Sequence, residues 1–144
     1  MTDITTFPTI HRVLWSGNNI IPMTASGTIS AGQVVSLDAT GVSVTVRAGI
    51  EESGERPVGV ALFGVTDGQI VSVCTTGCVC YVANADDSTG IDAGDILTTS
   101  DAAPGGCVAT AGAGTSTNVG FAIDDIAASG TGRAMISPGI IVET

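Results

Sequence analysis

A 144-residue chain with a formal net charge of −10, four basic residues (Arg12, Arg47, Arg56 and Arg133) and no lysine is a poor match for nucleic acid. Binding to a phosphate backbone rests on Lys and Arg displacing counterions, and the same acidity disfavours an anionic membrane surface. Hydrophobic residues make up 44% but aromatics only 3%, and 20 glycines accompany abundant Val, Ile, Ala and Thr, so the composition reads as all-β with many short strands.

In chain order, residues 1–22 stand apart. They hold the sole His and Trp and show no helical period, and Pro8 and Pro22 bias their neighbours to extended backbone. This stretch is expected to be an extended arm that lies on a partner. Its apolar anchors are Phe7, Pro8, Ile10, Val13, Leu14 and Trp15. Residues 23–144 are expected to form one β-domain. Strands are predicted at 23–28, 34–37 and 42–46, the last from strict alternation. A charged loop, 51–56, precedes a central strand at 58–65. The turn Thr66-Asp-Gly-Gln69 follows, and 70–74 and 78–82 are predicted to pair as a hairpin around Thr75-Thr-Gly77.

A linker at 84–90 then leads into an altered restatement. Ile29-Ser-Ala-Gly-Gln-Val-Val matches Ile91-Asp-Ala-Gly-Asp-Ile-Leu, with Gly32 and Gly94 62 positions apart. Pro57-Val-Gly-Val-Ala-Leu matches Asn118-Val-Gly-Phe-Ala-Ile, with Gly59 and Gly120 61 apart. Matched blocks in one order define two related units of about 60 residues, roughly 27–82 and 90–143. The apolar and glycine positions persist while the polar ones drift, which marks architecture rather than a reaction centre.

No catalytic constellation emerges. The single His11 sits in the arm, leaving no His-based triad in the body, and without lysine there is no Schiff base and no Walker-type phosphate loop. Asp86, Asp87, Asp92, Asp95, Asp101, Asp124 and Asp125 lack the spacing of a calcium loop and read as solvated turn residues. Cys74, Cys78, Cys80 and Cys107 lack paired metal-binding knuckles and read as small buried hydrophobes, the alternative being a disulfide from Cys107 to one of the others. No cofactor or metal is expected, and the chain is expected to be no enzyme. The N-terminus has neither a basic start nor an apolar run, so synthesis in a host cytoplasm is expected.

The pattern Ala31-Gly32, Val34-Val35, Gly41, then Val58-Gly-Val-Ala61, Gly68, Val71, Val73 and Gly77 resembles the small phage head-decoration, or capsid-stabilising, proteins. The resemblance covers about 27–82 and, more loosely, 90–143. It implies a compact β-clip or β-tulip fold. It also implies a homotrimer on the outer surface of an icosahedral virion, bound across subunits of a major capsid protein through an N-terminal arm. Two other readings remain: a small β-clip module that binds carbohydrate or another ligand, and a minor capsid, spike-base or tail component.

Overall fold

The computed structural model describes residues 19–38, 45–48, 56–100, 103–109 and 114–143. Ten strands account for the regular structure of these residues: β1 (Ile20–Ala25), β2 (Val34–Leu37), β3 (Thr45–Ala48), β4 (Pro57–Ala61), β5 (Ile70–Cys74), β6 (Val79–Ala83), β7 (Ile96–Thr99), β8 (Cys107–Ala109), β9 (Gly114–Ala122) and β10 (Thr131–Glu143). Among the described residues none is helical. This follows from a chain of β-branched residues broken every few positions by Gly, Asp or Ser.

Strands β1 to β5 close into a barrel in the order β1-β3-β2-β4-β5, and β6 to β10 form a sheet in the order β6-β10-β9-β7-β8. The two orders are the same arrangement. β6 takes the place of β1, β7 of β2, β8 of β3, β9 of β4 and β10 of β5. The correspondence extends to single hydrogen bonds. Ile29 and Val65 exchange amide bonds (3.0 and 2.8 Å), as do Ile91 and Ile126 (2.8 and 2.7 Å). The amides of Gly32 and Gly94 donate to the carbonyls of Ala61 and Ala122, both at 2.8 Å. The bulge between Val35 and Ser36 in the β2–β4 ladder recurs between Leu97 and Thr98 in β7–β9.

The two units differ in how they close. In the first, β1 runs parallel to β3, with Thr24 opposite Thr45 and Ala25 opposite Val46. In the second, the same seam is a single parallel bridge, Asn84 to Cys107, with the Ala85 amide on the Cys107 carbonyl at 2.8 Å. The second sheet is thus a curled half-barrel.

Two buried clusters fill the molecule. Met23, Ile29, Val35, Val65, Val71 and Val73 fill the first barrel, each contributing about 1.5–3 kcal/mol by burial. The other cluster spans both units. Val34, Val60 and Cys74, on the outside of the first barrel, join Leu97, Val119, Ile126, Ala134 and Ile136 of the second. Alternation along β2 explains the division, since Val35 points into the barrel and Val34 away from it. Main-chain bonds reinforce this junction. The Val34 amide donates to Gly105 O at 2.9 Å, Gly77 N to Ile136 O at 2.8 Å, and Ile136 N to Cys78 O at 2.8 Å.

The predicted strand at 42–46 coincides with β3 at Thr45 and Val46, and residues 39–44 lie outside the described set. Two sequence expectations need correction. Segments 70–74 and 78–82 are not a hairpin. β5 pairs with β1 and β4, whereas β6 pairs with β10, so Thr75-Thr-Gly77 connects the two units. Residues 84–90 form a pinned loop. Buried Asn84 donates through Nδ2 to Thr89 O (2.8 Å) and Ala127 O (3.3 Å) and accepts the Asp86 amide (2.9 Å).

Candidate docking surface

The arm anchors Phe7, Pro8, Ile10, Val13, Leu14 and Trp15 lie outside the described residues, as does Asp101. Within the described body, several carboxylates hold turns. Asp86 Oδ1 accepts the amides of Ser88 (2.8 Å) and Thr89 (3.0 Å) and the Ser88 hydroxyl (2.8 Å), and those bonds hold its pKa below the usual carboxylate value. Asp95 accepts the Asp92 amide at 2.9 Å, and Asp125 accepts the Ala93 amide at 2.9 Å. Asp86, Asp87, Ala85, Ser100 and Val108 line an open groove of about 340 Å³. Asp86 Oδ1 is already engaged by its own loop.

The cysteines depart from the sequence reading. Cys74 and Cys78, four positions apart, form a disulfide at the crossing between the units, and the Cys80 sulfur lies within 4.8 Å of both. Cys107 is a free buried thiol, so the alternative of a bridge from it does not hold. Burial raises its pKa to about 12 and raises that of Cys80 as well. Cys107 sits at the seam with Asn84 and Ala85. Spacing alone could not distinguish these pairings.

The outer face of the second unit presents an apolar row. Val79 on β6 lies opposite Met135 on β10, Met135 opposite Phe121 on β9, and Phe121 opposite Ile96 on β7. Residues directly opposite in antiparallel ladders share a face, so the four side chains stand side by side across four strands. Val79 is 51% exposed, Phe121 42% and Ile96 38%, with Met135 half-buried. Tyr81, two residues beyond Val79 and on the same face, is exposed beside Arg133. The Arg133 guanidinium meets Asp124 through Nε to Oδ2 at 3.0 Å and Nη2 to Oδ1 at 2.8 Å. These bonds lower the Asp124 pKa to about 2. The row thus carries no charge, and the ion pair at its border is neutral. Sequence reasoning gives neither Phe121 nor Tyr81 a role. The available signal was that β9 places apolar residues on both faces, Phe121 outward and Ala122 inward.

These features define an all-β protein of two related units with an exposed apolar row on the second. The chain belongs to the phage cement protein family, whose model matches residues 15–137. It is accordingly a phage capsid-associated structural protein. Among solved structures, its fold is similar to that of the head fiber gp8.5 N base of bacteriophage phi29, at 21% identity and a TM-score of 0.61 over 82% of this chain and 92% of that one. No curated protein matches the chain.

Proposed function

We propose that the protein decorates and stabilises an icosahedral phage capsid, seated as a homotrimer on the outer surface across joints between major capsid protein subunits. Membership of the phage cement family carries this reading. A cement protein performs no chemistry. It adds buried surface across joints in the shell, about 1,600 Å² for a standard contact, and so raises the free energy of opening them. The acidic body, at a net charge of −10, keeps particles soluble and apart.

Residues 1–22 serve as the arm and 23–144 as the body. The arm adds a strand to an exposed sheet edge of the shell, where main-chain hydrogen bonds give affinity. Phe7, Pro8, Ile10, Val13, Leu14 and Trp15 anchor it, because buried aromatic and large apolar groups dominate such contacts. Cosedimentation with undecorated expanded heads tests this. Deletion of residues 1–15 is expected to abolish binding, and full occupancy by the truncated chain would refute the arm. Quantifying copies per particle tests decoration itself. Hundreds are expected, and a handful would make it a vertex or tail part.

A further inference from the structure

Three cysteine sulfurs meet at the crossing between the units. Those of Cys74, Cys78 and Cys80 all lie within 4.8 Å of one another, and among the described residues this is the one place where three metal-ligand side chains converge so closely. Cys74 ends β5, Cys78 stands just before β6 and Cys80 is the second residue of β6. Cys78 and Cys80, two positions apart on extended backbone, project to the same side. The duplication shows that the fold does not demand these thiols. Cys74 lies opposite Ile20 as Met135 lies opposite Val79, which aligns Cys74 with Met135, Cys78 with Asn19 and Cys80 with Ile21. The equivalent places are thus filled without a thiol.

The main chain holds the trio independently of the bridge between two of its members. The Thr75 amide donates to Asn19 O at 2.7 Å and the Cys78 amide to Thr75 O at 3.1 Å, while Gly77 N donates to Ile136 O and Ile136 N to Cys78 O, both at 2.8 Å. Cys74 is paired with Ile20 and Val60, and Cys80 with Ala134. Opening the bridge therefore leaves three thiols on a fixed backbone, with the Cα atoms of Cys74 and Cys78 5.9 Å apart. Two thiolates on a tetrahedral zinc ion, each about 2.3 Å from the metal, stand about 3.8 Å apart, which the spread of the trio accommodates. Thiolates select soft, zinc-like ions over calcium or magnesium. Cys74 and Cys78 are buried and Cys80 only partly so, which sets the site just beneath the surface, within reach of water.

We propose that, once the Cys74–Cys78 bridge is reduced, Cys74, Cys78 and Cys80 form a site for a zinc-class divalent ion, with water as the fourth ligand. The assignment is independent of capsid decoration. Two molecules of a thiol reductant, RSH, open the bridge. The sulfur–sulfur bond breaks, Cys74 and Cys78 each gain a hydrogen, and the reductant leaves as RSSR. The ion then forms three metal–sulfur bonds and releases three protons, one from each thiol. A chain of net charge −10 draws in the cation. Bridge and ion exclude each other, because the bridge occupies two of the three ligands. In the reduced chain the ion ties β5 to β6, and so the first unit to the second.

Titration of the full chain with Zn²⁺ alone, against a chromophoric chelator, tests the assignment after reduction with a phosphine and gel filtration without air. The reduced wild type is expected to bind one ion per chain. Co²⁺ in its place is expected to show the thiolate-to-cobalt charge transfer of three sulfurs. Cys80→Ser is expected to weaken Zn²⁺ binding by at least about 100-fold, since loss of even an outer-shell partner costs about 10–100-fold. Cys107→Ala, outside the trio, is expected to bind as the wild type does, and the oxidised wild type not to bind. Zn²⁺ is also expected to raise the melting temperature of the reduced wild type and to leave that of Cys80→Ala unmoved, a readout that stands should the serine variant fail to fold. A reduced wild type that takes up no Zn²⁺ would overturn the proposal. So would equal affinity in the wild type and a folded Cys80→Ser chain, or a melting temperature that Zn²⁺ raises equally in both.

Discussion

The two units share strand order, bulge position and turn bonds but differ in what their outer faces do. The first is a closed barrel with one outer row buried against its sibling. The second is closed by a single bridge and leaves the equivalent row exposed. A repeated backbone thus fixes where side chains stand, and the choice of side chain at each duplicated position decides whether that face is core or surface. Val34 and Val60, small and branched, suit a packed junction. Ile96 and Phe121, at the same places, offer more apolar area to whatever meets them.

The sharpest test of equivalence is at Gly59 and Gly120. A Cβ at either would fall well inside contact distance of a carbonyl oxygen on the neighbouring strand, Cys74 in one unit and Met135 in the other. Gly59→Ala and Gly120→Ala are each expected to lower unfolding free energy by about 3 kcal/mol, read from urea midpoints. Tolerance of one but not the other would break the correspondence. Next comes the outer row. Val34→Ala should cost about 2 kcal/mol and Ile96→Ala within about 0.5, both measured at chain concentrations below self-association. Equal costs would mean that the second row is covered within the monomer.

A smaller effect is expected at Ser129. It corresponds to Gly68 and adopts the same left-handed backbone, at φ 56° against 80°. Ser129→Gly relieves that strain at the expense of a more flexible unfolded chain, a net gain of about 0.5 kcal/mol detectable as a raised melting temperature. The smallest effect belongs to the Arg133–Asp124 pair, which is solvent-exposed. Because the folded Asp124 pKa is about 2, below its ordinary value of 3.8, its contribution is present above pH 3.8 and lost as pH falls toward 2. Denaturant midpoints of wild type and Asp124→Asn should differ slightly at pH 5 and converge near pH 2.

Much of the architecture was legible because glycine and apolar positions recur at a nearly constant offset. Gly32 with Gly94 and Gly59 with Gly120 mark the turn and the close strand approach in both units. Strand partnership was harder to read. Period-2 alternation says that 70–74 and 78–82 are strands, yet it says nothing of which neighbours they take, and Thr75-Thr-Gly77 has the chemistry of a hairpin turn whether it joins paired strands or two barrels. The Cys74–Cys78 bridge was missed for the same reason, since it depends on how the chain crosses between units. The outer row was hidden by the assumption that apolar residues lie inside, which the folded surface does not obey.

The first barrel is complete once residue 74 has left the ribosome, but the surfaces that cover its outer row, Val119 and Ile136, come as many as 62 residues later. At typical synthesis rates the nascent chain displays Val34, Val60 and Cys74 to solvent for roughly 3–12 s. Small side chains at those positions limit the adhesiveness of a half-made molecule. The bulkier set, Phe121 and Met135, emerges last, when folding of the whole chain and encounter with its partners are close at hand.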